Sequence, residues 1–239
     1  MLRRLAFIAV VALAATLPSS GLAAAQSGVL LSDSFSSVRA GTCVAEGSSI
    51  DASFTDVFNG YGTQCVNSKH QLAQVPEAPA NASVTHAALA VSKQSFSGDF
   101  DVTAQVATVA QLRSPANNWE VAWLLWDYSN DDAFYYAILK PAGWEVGKEW
   151  CNTASSPCVQ SQEFLATGAE PSTAVGTTET LSVDQTVRNG IPTFAVYDGA
   201  TLLTTVSDSG AFSAPYTSGS IGLYDEEASV AWHSVSVVR

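Results

Sequence analysis

Positive charge is scarce in this chain: ten Lys and Arg stand against 22 Asp and Glu, a formal net charge of −12 over 239 residues. A phosphate backbone needs a basic stripe to displace its counterions, so nucleic acid is excluded as a partner. Long apolar runs are missing beyond residue 25. None reaches the roughly 18 uncharged residues of a spanning helix, so no membrane partner is expected. Helical periodicity is almost absent, which removes the helix-rich classes. There is no Cys-x-x-Cys, and His70, His86 and His233 lie far from the cysteines in sequence, which argues against zinc. Neither a Gly-x-Ser-x-Gly elbow nor a phosphate-cradling glycine loop occurs, which disfavours serine hydrolase and nucleotide chemistry.

What is present begins with an address. Arg3 and Arg4 precede an apolar run from Leu5 to Leu17, and Leu22-Ala23-Ala24-Ala25 offers a small-residue cleavage site. Residues 1–25 are therefore expected to be a cleaved signal peptide. Residues 26–239 form a single exported domain, secreted to the periplasm or the medium and expected to be monomeric. Four cysteines, Cys43, Cys65, Cys151 and Cys158, suit an oxidising compartment. Of the three pairings, local closure of Cys43 with Cys65 and of Cys151 with Cys158 is expected, because each pair sits in a Gly, Ser, Thr and Asn-rich stretch.

From residue 85 onward, short runs of alternating polarity follow one another between Pro, Gly, Ser and Thr clusters, and Asp198-Gly199 marks a hairpin. Residues 36–68 read as long loops. About ten to twelve strands predict two packed antiparallel sheets, an all-β sandwich or jelly roll. The densest stretch is Asn117 to Lys148, NNWEVAWLLWDYSNDDAFYYAILKPAGWEVGK, with four of the six tryptophans. Its spacing predicts Trp119, Val121, Trp123 and Leu125 in the core. Glu120, Trp126 and Tyr128 then share an outward face with Tyr136 and Lys140.

The segments FSGDFDVTAQV, NNWEVAWLLWDY, FYYAILKPAGWEVGK, YDGATLL and SGSIGLYDEEASVAWHSVSV resemble concanavalin A-like jelly rolls. This lectin/glucanase superfamily includes laminarinase-like hydrolases and the 3-keto-disaccharide hydrolase-type domain. The resemblance implies two sheets, one of them bent, with a polysaccharide or oligosaccharide groove on the concave face. The Glu-x-Asp-x-x-Glu strand of laminarinase-like hydrolases is absent. Alginate-lyase jelly rolls, with Tyr and Lys on one strand and Arg on another, are a second comparison, although their Gln-x-His element is absent too.

Three functions follow as expectations. In glycoside hydrolysis, Glu120 is one of two carboxyl groups flanking the glycosidic bond, with Glu145 or Glu226 as the second. Glu145 qualifies if it points into the groove, in which case Trp144 and Lys148 point the other way. In a non-catalytic lectin or carbohydrate-binding module, Glu120, Arg113 and Lys140 only hydrogen-bond hydroxyls, or Glu120 simply pairs with Arg113 or Lys140 across the sheet. In a uronate lyase, Tyr136 takes the proton while Lys140 and Arg113 neutralise the acid. Gln111, Arg113 and Lys148 are candidate hydroxyl contacts, and Trp126 and Trp144 candidate stacking platforms. No cofactor is required. Asp33 and Asp225 are candidate oxygen ligands for a structural calcium where the chain ends meet.

Overall fold

The structure, a computed structural model, describes residues 28–81, 83–152 and 159–239. The expected signal peptide and Cys158 lie outside the described residues. Among those residues the chain is built from strands alone: β1 (Val29–Asp33), β2 (Cys43–Val44), β3 (Phe54–Phe58), β4 (Thr63–Val66), β5 (Leu72–Val75), β6 (Ala87–Ser97), β7 (Phe100–Gln111), β8 (Ala122–Asn130), β9 (Ala133–Lys140), β10 (Gly143–Asn152), β11 (Val159–Gly168), β12 (Thr178–Arg188), β13 (Ile191–Asp198), β14 (Thr201–Ser207), β15 (Ser218–Glu226) and β16 (Ala228–Val238). They form two antiparallel sheets. One runs β14-β13-β12-β7-β16-β5-β4-β2 with β1 also on β16, and the other runs β11-β10-β9-β8-β15-β6-β3.

The expected hairpin closes β13 onto β14 at Asp198 and Gly199, where Gly199 takes a positive φ of 55° that a glycine adopts without penalty. Cys43 faces Cys65 across the β2–β4 pair and is bonded to it. By the chain-entropy estimate, a loop of that length gives about 3 kcal/mol of stabilisation. Cys151 is disulfide-bonded as well.

Two apolar clusters organise the molecule. The larger fills the space between the sheets with Trp126, Tyr135, Phe194, Trp232, Phe100 and their neighbours. The smaller consists of Leu89, Val121, Trp123, Leu125, Phe134, Tyr136 and Ile138, all from or beside the seven-stranded sheet, on the face turned away from the other sheet. That sheet is therefore apolar on both sides.

This corrects the side-chain parity read from the sequence. Ala122, Leu124 and Trp126 of β8 point between the sheets, whereas Trp123 and Leu125 point outward. The run Ala122-Trp123-Leu124-Leu125-Trp126 is apolar at every position, so alternation carries no information there and either phase fits. Trp126 has 0% exposure and stacks on Tyr135 with ring centres 5.8 Å apart and meets Phe194 at 5.2 Å, which leaves no face for a sugar. Trp144 is likewise in the inter-sheet core, lying over Gly168 and donating its Nε1–H to the Glu170 carbonyl at 2.8 Å.

Lys148 is a further correction. Its side chain is fully buried, with Nζ donating to Asp208 Oδ2 at 2.6 Å and to the carbonyls of Ser213 and Ala214 at 3.0 Å. Tyr135 donates to the same carboxylate at 2.6 Å, so the ion pair ties the 208–216 segment to β9 and β10 and is unavailable to substrate.

Removing the largest buried ring from between the sheets leaves a cavity that the flanking strands cannot close. Trp126→Ala is expected to lower the unfolding free energy by about 3–5 kcal/mol in denaturant titrations. Trp123→Ala should cost less, because its ring borders open space.

Candidate functional site

Three consecutive hairpin strands make up the centre of the outer face of the seven-stranded sheet. Register pairs Trp123 with Ile138 and Ile138 with Glu145 in one row, Leu125 with Tyr136 and Tyr136 with Gly147 in the next, and Phe134 with Glu149 in a third. On the flanks Tyr224 of β15 stands opposite Trp123, and Gln162 of β11 opposite Glu149. Because side chains alternate, fixing one residue of each row fixes the others.

Trp123, Leu125, Phe134, Glu145, Glu149, Gln162 and Tyr224 line a cavity of about 750 Å³. Its floor is aromatic: Trp123 lies 4.4 Å from the Tyr136 ring and 5.5 Å, edge to face, from Tyr224. Trp119 stands at the rim, 45% exposed, and its carbonyl accepts the Trp123 indole N–H at 2.9 Å. A Cβ on Gly147 would fall 2.2 Å from the Tyr136 hydroxyl, so only glycine lets that phenol lie across β10, between the positions of Glu145 and Glu149.

Carboxyl groups surround this floor. Glu145 accepts a hydrogen bond from the Tyr136 hydroxyl at 2.8 Å and is ion-paired with Lys140. Tyr136 in turn accepts from Gln162 at 2.8 Å. Glu149 is only 8% exposed, and among the described residues no cation pairs with its carboxyl. Loss of hydration, reinforced by Glu226, Asp132 and Glu145, pushes its pKa up to about 8. Glu226 is pushed up to about 7, first by burial and then by Glu227 and Glu120. One site thus holds a carboxylate fixed by an ammonium and a carboxylic acid that keeps its proton at neutral pH. A buried carboxyl group with a raised pKa beside an ion-paired one is a candidate proton donor.

No family model and no curated protein matches the sequence. Solved structures match its fold. The carbohydrate-binding module CBM66 from Bacillus subtilis superposes with a TM-score of 0.55 at 16% identity, covering 77% of this chain and 94% of that one. The endo-1,3-beta-glucanase from Streptomyces sioyaensis gives 0.52 at 12%, covering 94% and 99%. The catalytic domain of PdAgaC gives 0.55 at 12%, covering 89% and 92%. The fold is a concanavalin A-like jelly roll.

Within this jelly roll the residues singled out from the sequence part into two groups. Glu145 lines the cavity, and Tyr136 and Lys140 both bond its carboxylate from behind the lining. Glu120, Arg113 and Gln111 do not line it. Glu120 is 1% exposed; its carboxylate accepts Arg113 Nε–H at 2.7 Å, the Asn117 backbone N–H at 2.9 Å and the Asn117 side-chain amide at 2.8 Å. Arg113 also pairs with Glu227 and donates to the carbonyls of Val84 at 3.0 Å and Asn81 at 3.2 Å. Gln111 donates to the Asn117 carbonyl at 2.7 Å. The cluster is a latch joining the 81–84, 111–120 and β15–β16 segments, and both carboxylate oxygens of Glu120 are engaged within it.

The two calcium candidates fall in different sheets, Asp33 on β1 beside Val235 and Asp225 on β15 beside Ala88 and Ala122. Asp33 accepts the Phe35 N–H at 2.7 Å, and no group of three or more His, Cys, Asp or Glu suited to a metal occurs among the described residues.

Trp123, Glu149, Tyr224 and Gln162 escaped the sequence reading. The signal for Glu149 was available: it stands four residues after Glu145 on one strand, hence on the same face.

The buried acids set a pH dependence. Glu149 and Glu179 are each pushed up to about 8, and Asp127 and Glu226 to about 7, in every case chiefly by burial. Each keeps a proton in the folded chain that the unfolded chain releases above its ordinary range of 3.8 to 4.5. Stability therefore falls as pH rises from about 4.5 to 8, by up to about 1.4 kcal/mol per unit of displacement for each group. Thermal midpoints measured across this window should fall steadily, and Glu179→Gln should flatten the decline.

Proposed function

We propose that this chain is an exported carbohydrate-active protein that holds a glycan over the Trp123 face and hydrolyses it. The observation that carries the reading is the pairing of Glu145, held by Lys140 and Tyr136, with Glu149, whose pKa is pushed up to about 8, on one strand over an aromatic floor. Aromatic faces offer apolar area to the C–H side of a pyranose. Glu149 would donate its proton to the departing glycosidic oxygen, and Glu145 would supply the electron pair at the anomeric carbon, directly or through a water.

Four residues of strand separate the two Cα atoms by about 13 Å. The side chains must lean together to reach the 5–5.5 Å of a retaining pair or the 6.5–9.5 Å of an inverting one. Glu145 is fixed by Tyr136 and Lys140, so the approach falls to Glu149. A lyase reading gains no support, since Tyr136 donates to Glu145 instead of standing free and Lys140 is already neutralised.

A binding module of the same fold is the second reading. It is favoured by the two partners on Glu145, which hold down its nucleophilicity, and by the likeness to CBM66. Reducing-sugar release from a panel of neutral polysaccharides separates the two. In the hydrolase, Glu149→Gln should lower kcat by about 10²–10⁴-fold while leaving glycan affinity within a few fold. Wild-type activity should fall on an alkaline limb near pH 8. Glu120→Gln should leave activity intact. Retention of glycans on wild-type protein with no sugar released would establish the binding module instead.

A further inference from the structure

The main cavity does not end at Tyr224. Phe58 and Thr85 line it and also line a second hollow of about 320 Å³, whose far wall is Tyr61 with Glu46 and His86. Tyr61 is 83% exposed, the most exposed large aromatic on the described surface. It occupies the turn Asn59-Gly60-Tyr61-Gly62, closed by the Gly62 N–H donating to the Asn59 carbonyl at 3.1 Å. Both central residues take positive φ, 62° at Gly60 and 62° at Tyr61.

That conformation suits glycine or asparagine and penalises a bulky side chain. A tyrosine there is unfavourable for the turn, and its ring recovers little by burial. A costly conformation that is nonetheless held rigidly is a reason to look for a ligand.

The rigidity is evident. A Cβ on Gly60 would lie 2.5 Å from the Ala87 carbonyl and one on Gly62 would lie 1.9 Å from that of Val75, so the turn is pressed flat against the segments around β5 and β6. Gly60 also accepts the Glu77 N–H at 2.9 Å. The Tyr61 ring meets His86 edge to face at 5.2 Å, and His86 is itself tied through Nδ1 to the Glu77 carbonyl at 2.7 Å. The phenol is thus held ready, with one face free.

Resting on the glycan reading of the main cavity, we infer that Tyr61 is a distal sugar platform, reached by a linear glycan that runs from the Trp123 floor past Phe58 into the second hollow. The chain it takes is neutral: neither cavity is lined by any Lys or Arg among the described residues, and Glu46, Asp131, Glu145, Glu149 and Glu226 line one or the other. A polyanionic glycan would find no pairing cation in either lining and would be repelled by Asp131 in one and Glu46 in the other.

Calorimetric titration with linear neutral β-1,3- and β-1,4-gluco-oligosaccharides, from disaccharide to octasaccharide, tests this. Wild-type affinity should rise with length until the chain spans both hollows. Tyr61→Asn, which keeps the turn conformation, should bind the short members unchanged and the long members about three- to tenfold more weakly, the equivalent of one aromatic contact. Tyr61→Trp should restore the long-chain gain. Identical length dependence in wild type and Tyr61→Asn would overturn the distal platform alone. Absence of binding at every length in the wild type would overturn it together with the glycan reading.

Discussion

The packing of Trp126 against Tyr135 and Phe194 fixes the direction of the side chains from Ala122 to Trp126 on β8 and of those paired with them on β9 and β10, before an irregularity at Asp127, with φ of 49°, turns Tyr128 outward. A strand has a period of two, so an inward Trp126 forces Trp123 and Leu125 outward. The antiparallel register then carries that choice across Ile138 and Tyr136 to Glu145, Gly147 and Glu149. A slip by one residue would place Lys148 and Trp144 on the cavity and bury three acidic or small positions between the sheets. Burial of large aromatic rings, each contributing on the order of several kcal/mol of gross stabilisation, holds that register against the slip.

The same constraint produces the electrostatics. An outer sheet face lined by Trp123, Tyr136, Phe134 and Tyr224 is a poor solvent for charge. A carboxyl group placed there either finds a cation, as Glu145 does in Lys140, or keeps its proton, as Glu149 does. The stability lost by burying unpaired acids is accepted at the site where two differently protonated carboxyl groups are chemically useful.

The architecture was legible in the sequence because β7 and the strands after it are long, punctuated by turns and matched to the closing Gly219-to-Trp232 segment. The β2 to β5 region was not, since its strands are only 2–5 residues long and their inward positions include glutamines. Gln64 and Gln74 are buried, with Gln74 bonded to Gln64 at 3.2 Å and to the Trp232 indole at 2.6 Å, so the expected apolar alternation is replaced by a polar one. β11 carries no clear alternation in the sequence because it is an edge strand whose residues remain largely half-exposed or exposed. On β9 the spacing put Tyr136 and Lys140 on one face, while the direction of Glu145 stayed open until the register of β9 with β10 fixed it. Trp126 was misplaced because a run of five apolar residues has no readable phase, and of the two readings of Glu120 the pair with Arg113 is the one present, a choice hidden in the sequence because a carboxylate beside an arginine 114 residues from its second acid partner looks the same whether buried or free.

If the odd-numbered face of β8 meets the ligand, the tryptophans must respond to it unequally. Indole N–H resonances of uniformly ¹⁵N-labelled protein, assigned by single tryptophan substitutions, can be followed during titration with a neutral oligosaccharide. The Trp123 and Trp119 signals should move while those of Trp126, Trp144 and Trp232 stay fixed. Movement of Trp126 with Trp123 unchanged would contradict an outward Trp123 face as the place where the glycan lies.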